Sequence, residues 1–278
     1  MSVLLAPFAY DFMQRAFLAA VIVGALCSTM GTYVVLRKLA FIGDGLAHAS
    51  FAGIAIAYLR DGNYWLGAGI ATVVTALGIG YLHHRTKLAF DTVIGVLFTA
   101  AFALGIFLLS RSERATVDLQ SFLFGNILGV GKFDLVMVIV LGAIVALVVG
   151  ALWYPLLYSS FDPVVSQAAG IRTRFVEDAL LVILALTIIV SLQLVGIVLV
   201  AALLVTPAAA AAQLTKRFVP MMALACAFGI VSSAGGLYAS YWLRAASGAT
   251  IVLLATLIFF IALVVSRISA RRQRRRAP

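Results

Sequence analysis

Residues 17–36, 135–158, 218–243 and 247–266 carry no charged side chain. Each run meets or exceeds the roughly 20 apolar residues that cross a hydrocarbon layer of about 30 Å at about 1.5 Å of helical rise per residue. Strands in a soluble core are far shorter. The backbone of such a segment satisfies its own N–H and C=O groups in lipid only as a helix, because an open strand edge finds no water there. Composition agrees: 64% of the 278 residues are hydrophobic and 11% charged, against about a quarter charged in a soluble domain. The expected fold class is all-α, a polytopic transmembrane helical bundle.

The expected spans are 12–36, 40–59, 64–82, 88–109, 133–158, 175–194, 196–215, 218–243 and 247–267. Residues 179–215 hold no ionised side chain. At about 1.5 Å per residue that path is about 55 Å, slightly short of two full crossings. The region therefore reads as two short helices or one broken segment, with Gly196 and Pro207 as candidate breaks, and the total as eight or nine passes. Residues 119–130 are too short to span and read as an interfacial or re-entrant stretch.

Of the 20 basic residues, six fall in the last dozen positions, and most others flank the apolar runs. Placing Arg37-Lys38 on the cytosolic side also places residues 83–87, Arg172 with Arg174, Lys216-Arg217 and the arginine tail there. This matches the positive-inside bias and predicts the N-terminus outside and the C-terminus inside. The formal charge of +10 therefore reflects membrane orientation rather than a nucleic-acid partner. One transmembrane domain over 1–270 and a solvated basic tail over 271–278, facing lipid headgroups, are expected. Cys27 and Cys226 lie in apolar runs without CxxC spacing and read as small apolar side chains, not a disulfide.

Two segments carry the chemistry. In GDGLAHAS at 43–50, Asp44 and His48 are four apart and share a helix face. Counted as continuous helix from Lys38, they lie about 9–15 Å deep. A carboxylate at such depth is costly unless it faces protein or a water-filled path. Carboxylate oxygen with imidazole nitrogen suits Mn²⁺, Fe²⁺ or Zn²⁺ better than Ca²⁺ or Cu⁺. Two ligands per chain suit an ion that must leave again, and a homodimer would bring two pairs together. A proton relay, or a hydrogen bond between the two side chains that fixes packing, fits the same spacing. Gly45, Ala49 and Gly53 form a row of small residues for close helix contact. Asp91, Asp134, Glu177, Asp178, His83 and His84 sit near span ends and read as solvated.

Between the spans, Asp162 suits an N-cap, Pro163 a first helical position and Gly170 a C-terminal stop. A cytosolic helix within about 161–171 follows. HExxH, GxSxG and CxxC are absent, and residues 125–132 lack phosphate-loop spacing, with Phe133 where Ser or Thr must meet Mg²⁺. No enzyme is expected.

RKLAFIGDGLAHA at 37–49 resembles the second-span signature of zinc/manganese/iron ABC importer permeases, and SFLFGNIL at 121–128 is similar to another of their motifs. DPVVSQAAG at 162–170 resembles their coupling helix, and residues 195–209 and the Ser247-Gly248 span resemble their later part. The resemblance extends over essentially the whole chain. It implies a permease subunit of the bacterial cytoplasmic membrane that binds no permanent cofactor. It further implies a second permease, most simply a homodimer, cytosolic ABC ATPase subunits that use the ATP, and an extracytoplasmic metal-binding protein that delivers the ion. Asp44 and His48 would line the metal path. Asp162, Pro163, Val164, Ala168, Ala169 and Gly170 would sit in the ATPase groove. Gly45 departs from the many relatives with a larger residue such as Ala. The competing expectations are a proton-coupled secondary metal transporter and a membrane scaffold without transport.

Overall fold

The computed structural model describes residue 8 and residues 10–86, 88–111 and 127–274. Eleven α-helices occur among the described residues: α1 (Asp11–Leu36), α2 (Ile42–Leu59), α3 (Tyr64–Thr86), α4 (Phe90–Ser110), α5 (Lys132–Ala151), α6 (Trp153–Phe161), α7 (Pro163–Ala168), α8 (Thr173–Val195), α9 (Ile197–Leu214), α10 (Phe218–Leu243) and α11 (Ser247–Arg274). Nine of these are long and apolar enough to cross a membrane; α6 and α7 are not. Most of the expected re-entrant stretch, residues 119–126, lies outside the described residues, and Ile127–Gly129 form one 3-10 turn. The basic tail continues α11 as helix to Arg274, and residues 275–278 lie outside the described ones.

The structure revises the span reading at two places. The expected 133–158 helix is interrupted at Leu152, where α5 ends and α6 begins. Pro155 explains the break, because its ring has no N–H to give the carbonyl of Ala151 and would clash with it. In the ionisable-free stretch the break is Gly196 alone, at φ 80° and ψ 167°. That conformation is essentially restricted to glycine. Pro207 instead lies inside α9. The carbonyl it leaves without a helical donor, that of Leu203, accepts from Ser28 Oγ of α1 at 3.3 Å, so the helix runs on.

Central α1 packs against α10, α9, α8 and α5, while α2 is clamped between α3 and α4. The small-residue row on α2 does not meet one partner. A Cβ at Gly45 would meet Ile94 of α4, whereas one at Gly53 would strike the backbone of Gly67 in α3. Residues four apart advance about 40° around a helix, so the row winds from one neighbour to the other. Among the described residues, three helix ends close with a non-glycine residue in the left-handed region, Lys38 (φ 57°), Asp61 (φ 51°) and Arg244 (φ 51°). At α1 the Leu39 N–H donates to Val34 O at 2.9 Å and the Lys38 N–H to Val35 O at 3.3 Å. This Schellman-type stop turns the chain sharply into α2.

Candidate metal-path site

Because residues 38–41 form that turn, Asp44 is only the third residue of α2. The depth expected from a continuous helix is therefore too large. Asp44 lies about 3–5 Å of helical rise from the start of α2 and His48 about 9 Å.

The Asp44 side chain is 46% exposed and that of His48 20%. His48 Nδ1 sits 2.9 Å from the backbone carbonyl oxygen of Asp44 and 3.4 Å from Asp44 Oδ1. A carbonyl oxygen only accepts, so Nδ1 carries the proton in this bond, and Nε2 of the neutral ring keeps its lone pair. The ring is held by Phe102 at 5.3 Å and Phe98 at 5.8 Å between centroids. Gly45, between the two residues, lets α4 approach, since a Cβ there would come within 2.5 Å of Ile94 Cγ2. The pair is thus neither sealed into helix packing nor fully solvated. A backbone bond orients the imidazole, and the carboxylate remains about half exposed. Among the described residues no three or more His, Cys, Asp or Glu side chains gather so that they could hold a metal ion.

At the second segment, Asp162 Oδ1 accepts from the N–H groups of Val164 and Val165 at 2.9 and 3.0 Å, and Pro163 occupies the first helical position of α7. Gly170, at φ 84°, ends the helix: its N–H reaches Gln167 O and that of Ile171 reaches Ser166 O, both at 3.0 Å. Ser166 is buried, while Val164, Ala168, Ala169 and Gly170 are exposed. A six-residue helix thus presents valines and alanines outward, an arrangement that suits contact with another protein.

His83 and His84, expected to be solvated, are instead half-buried and held by contacts. His84, 21% exposed, places Nε2 3.5 Å from Glu177 Oε2 and 4.0 Å from Asp178 Oδ1, joining the end of α3 to the start of α8. His83 stacks on Phe90 at 3.7 Å. Arg37, the C-cap of α1, donates through Nη2 to Ser159 Oγ at 2.6 Å and through Nε to Ser160 Oγ at 3.1 Å. Burial lowers the Arg37 pKa, and the charges of Glu177 and then Tyr33 act against that shift. Asp134 accepts from the Gly131 N–H at 3.0 Å and caps α5. Alternating spans already assign Arg37, His84, Ser159 and Glu177 to one side of the membrane. That shared side was the available signal for the network, although hydropathy has no information about which of them touch.

The pattern of the family described as the ABC 3 transport family matches residues 9–266. A relative from Halalkalibacterium halodurans, named "Manganese transport system membrane protein MntC", is 43% identical over 257 residues, covering 92% of this chain and 88% of the relative. One from Haemophilus influenzae, named "Probable iron transport system membrane protein", is 37% identical over 268 residues, covering 96% of this chain and 98% of the relative. Among solved structures, PsaBC from Streptococcus pneumoniae in complex with Fab matches with a TM-score of 0.80 and 32% identity, over 91% of each chain. With nine membrane-length helices among the described residues and a family match over residues 9–266, this multi-pass membrane protein belongs to the ABC 3 transport family.

Proposed function

We propose that this chain is the permease subunit of an ATP-driven importer that carries divalent transition-metal ions, manganese foremost, across the bacterial cytoplasmic membrane. As a member of an ABC transport family it is a membrane component and not an enzyme. The observation that carries the metal reading is the Asp44–His48 pair: an open carboxylate beside an imidazole whose Nδ1 is already bonded. This mixed oxygen and nitrogen donor set suits Mn²⁺, Fe²⁺ and Zn²⁺. Relatives named for manganese and for iron transport support the first two.

In this reading a second copy of the permease supplies a matching pair across a two-fold axis, because one chain offers too few donors for a held ion. An extracytoplasmic metal-binding protein delivers the ion. Cytosolic ATPase subunits receive α7, with Asp162, Pro163, Val164, Ala168, Ala169 and Gly170 at the contact. Their closure rocks the spans as rigid bodies. The Arg37 turn, the end of α3, α6, α7 and the start of α8 share one end of the bundle, which would then be cytosolic, with the N-terminus outside and the basic tail inside.

Radioactive manganese uptake into vesicles holding the reconstituted complex tests the proposal. Uptake should require both ATP and the ATPase subunit. Uptake that continues without the ATPase on a proton gradient would instead support the secondary carrier, against which family membership already weighs.

A further inference from the structure

Arg37 lies between the two flanks of α7, in contact with one and across a shared cleft from the other. On one side its guanidinium holds Ser159 and Ser160, in the last turn of α6 and just ahead of the Asp162 cap. These hydroxyls are themselves fixed, each donating to Leu156 O, at 3.3 and 2.6 Å. On the other side Glu177, in the second turn of α8, is the carboxylate whose charge acts on Arg37, and it also faces His84 at the end of α3. Arg37 is joined to α2 through a stiff connection: the Leu39 N–H to Val34 O at 2.9 Å and the Ile42 N–H to Leu39 O at 3.0 Å. Two residues beyond Ile42 stands Asp44.

The same side chains border a cleft of about 470 Å³, lined by Arg37, Lys38, Phe90, Ser160, Pro163 and Glu177 among others. The α6–α7 turn therefore has space beside it rather than a filled core. A guanidinium is suited to a joint at such a place. Its planar fork bonds two hydroxyls in a fixed geometry, which an ammonium does not reproduce.

We infer that Arg37 is a positioning residue of the transport cycle, transmitting displacement of the α6–α7 turn to the start of α2 and so to Asp44 and His48. This rests on the reading of α7 as the ATPase contact. The Arg37–Ser159–Ser160 cluster forms a direct physical link between that contact and the metal pair, and coupling between sites needs a link of this kind whose arrangement both can bias.

The test measures ATP hydrolysis and radioactive manganese uptake in the same vesicles, using the complete reconstituted complex. Two changes are compared with wild type: Arg37→Lys, which keeps the charge and loses the fork, and the pair Ser159→Ala with Ser160→Ala, which leaves Arg37 intact. Manganese imported per ATP hydrolysed should fall about tenfold in each, within the usual range of coupling between sites, while hydrolysis stays within about twofold of wild type. An unchanged ratio in both, whether the two activities are normal or fall together, overturns the inference. Wild-type vesicles that import manganese without the ATPase overturn the reading of α7 and this inference with it. Wild-type vesicles that need the ATPase, beside variants of unchanged ratio, overturn the role of Arg37 alone.

Discussion

At Gly45 the missing side chain is what allows α2 and α4 to hold His48 between them. A Cβ there would come within 2.5 Å of Ile94 Cγ2, and Phe98 and Phe102 of the same helix flank the imidazole. The glycine at this position therefore has a physical reason in this chain, one that only the position of Ile94 reveals. Overpacking of this kind typically costs about 1–3 kcal/mol. Gly45→Ala should lower the thermal stability of the purified protein by an amount in that range, and adding Ile94→Ala should recover most of it. Equal stability of Gly45→Ala and wild type in a thermal unfolding assay would show that Ile94 yields without cost. Asp44 and His48 themselves were legible from their spacing, because residues four apart share a face whatever surrounds them. The bond that sets the tautomer was not, since it goes to a main-chain oxygen.

Among the helices, the membrane-length elements follow from run length and charge alone. Breaks within apolar runs follow a subtler rule. Gly196 and Pro207 look alike as breakers, yet one divides the segment and the other is absorbed. The difference is the hydroxyl of Ser28, which comes from a helix 175 residues away in sequence and replaces the donor that Pro207 lacks. Ser28→Ala should leave the Leu203 carbonyl unsatisfied, at about 1–3 kcal/mol for a buried polar group. Ser28→Ala with Pro207→Ala should be less destabilised than Ser28→Ala alone, because an alanine in place of the proline would restore the helical N–H. Additive effects in this double-mutant cycle, read from thermal unfolding, would remove the link between the two residues. The Leu152 break, by contrast, carries its own cause nearby in Pro155.

For the whole molecule, the described residues hold nine apolar membrane-length helices, an Asp44–His48 pair that no third His, Cys, Asp or Glu joins among them, and a short exposed helix α7 without a core of its own. The last two features are expected of a subunit that works within a larger assembly, as members of ABC transport families do. The contacts of Arg37 with Ser159 and Ser160 and of His84 with Glu177 were hidden from sequence reasoning, where His84 and Glu177 looked like solvated span ends. Burial of Arg37 and the approach of His84 to Glu177 arise only when α1, α3, α6 and α8 are brought to one end. Radioactive manganese uptake should be measured for Asp44→Ala and for His48→Ala in complexes whose assembly matches wild type by size-exclusion chromatography. The account predicts loss of at least about tenfold in uptake for each, the scale of one removed ligand or its supporting group, with ATP hydrolysis still present. Uptake at the wild-type rate in both would contradict it.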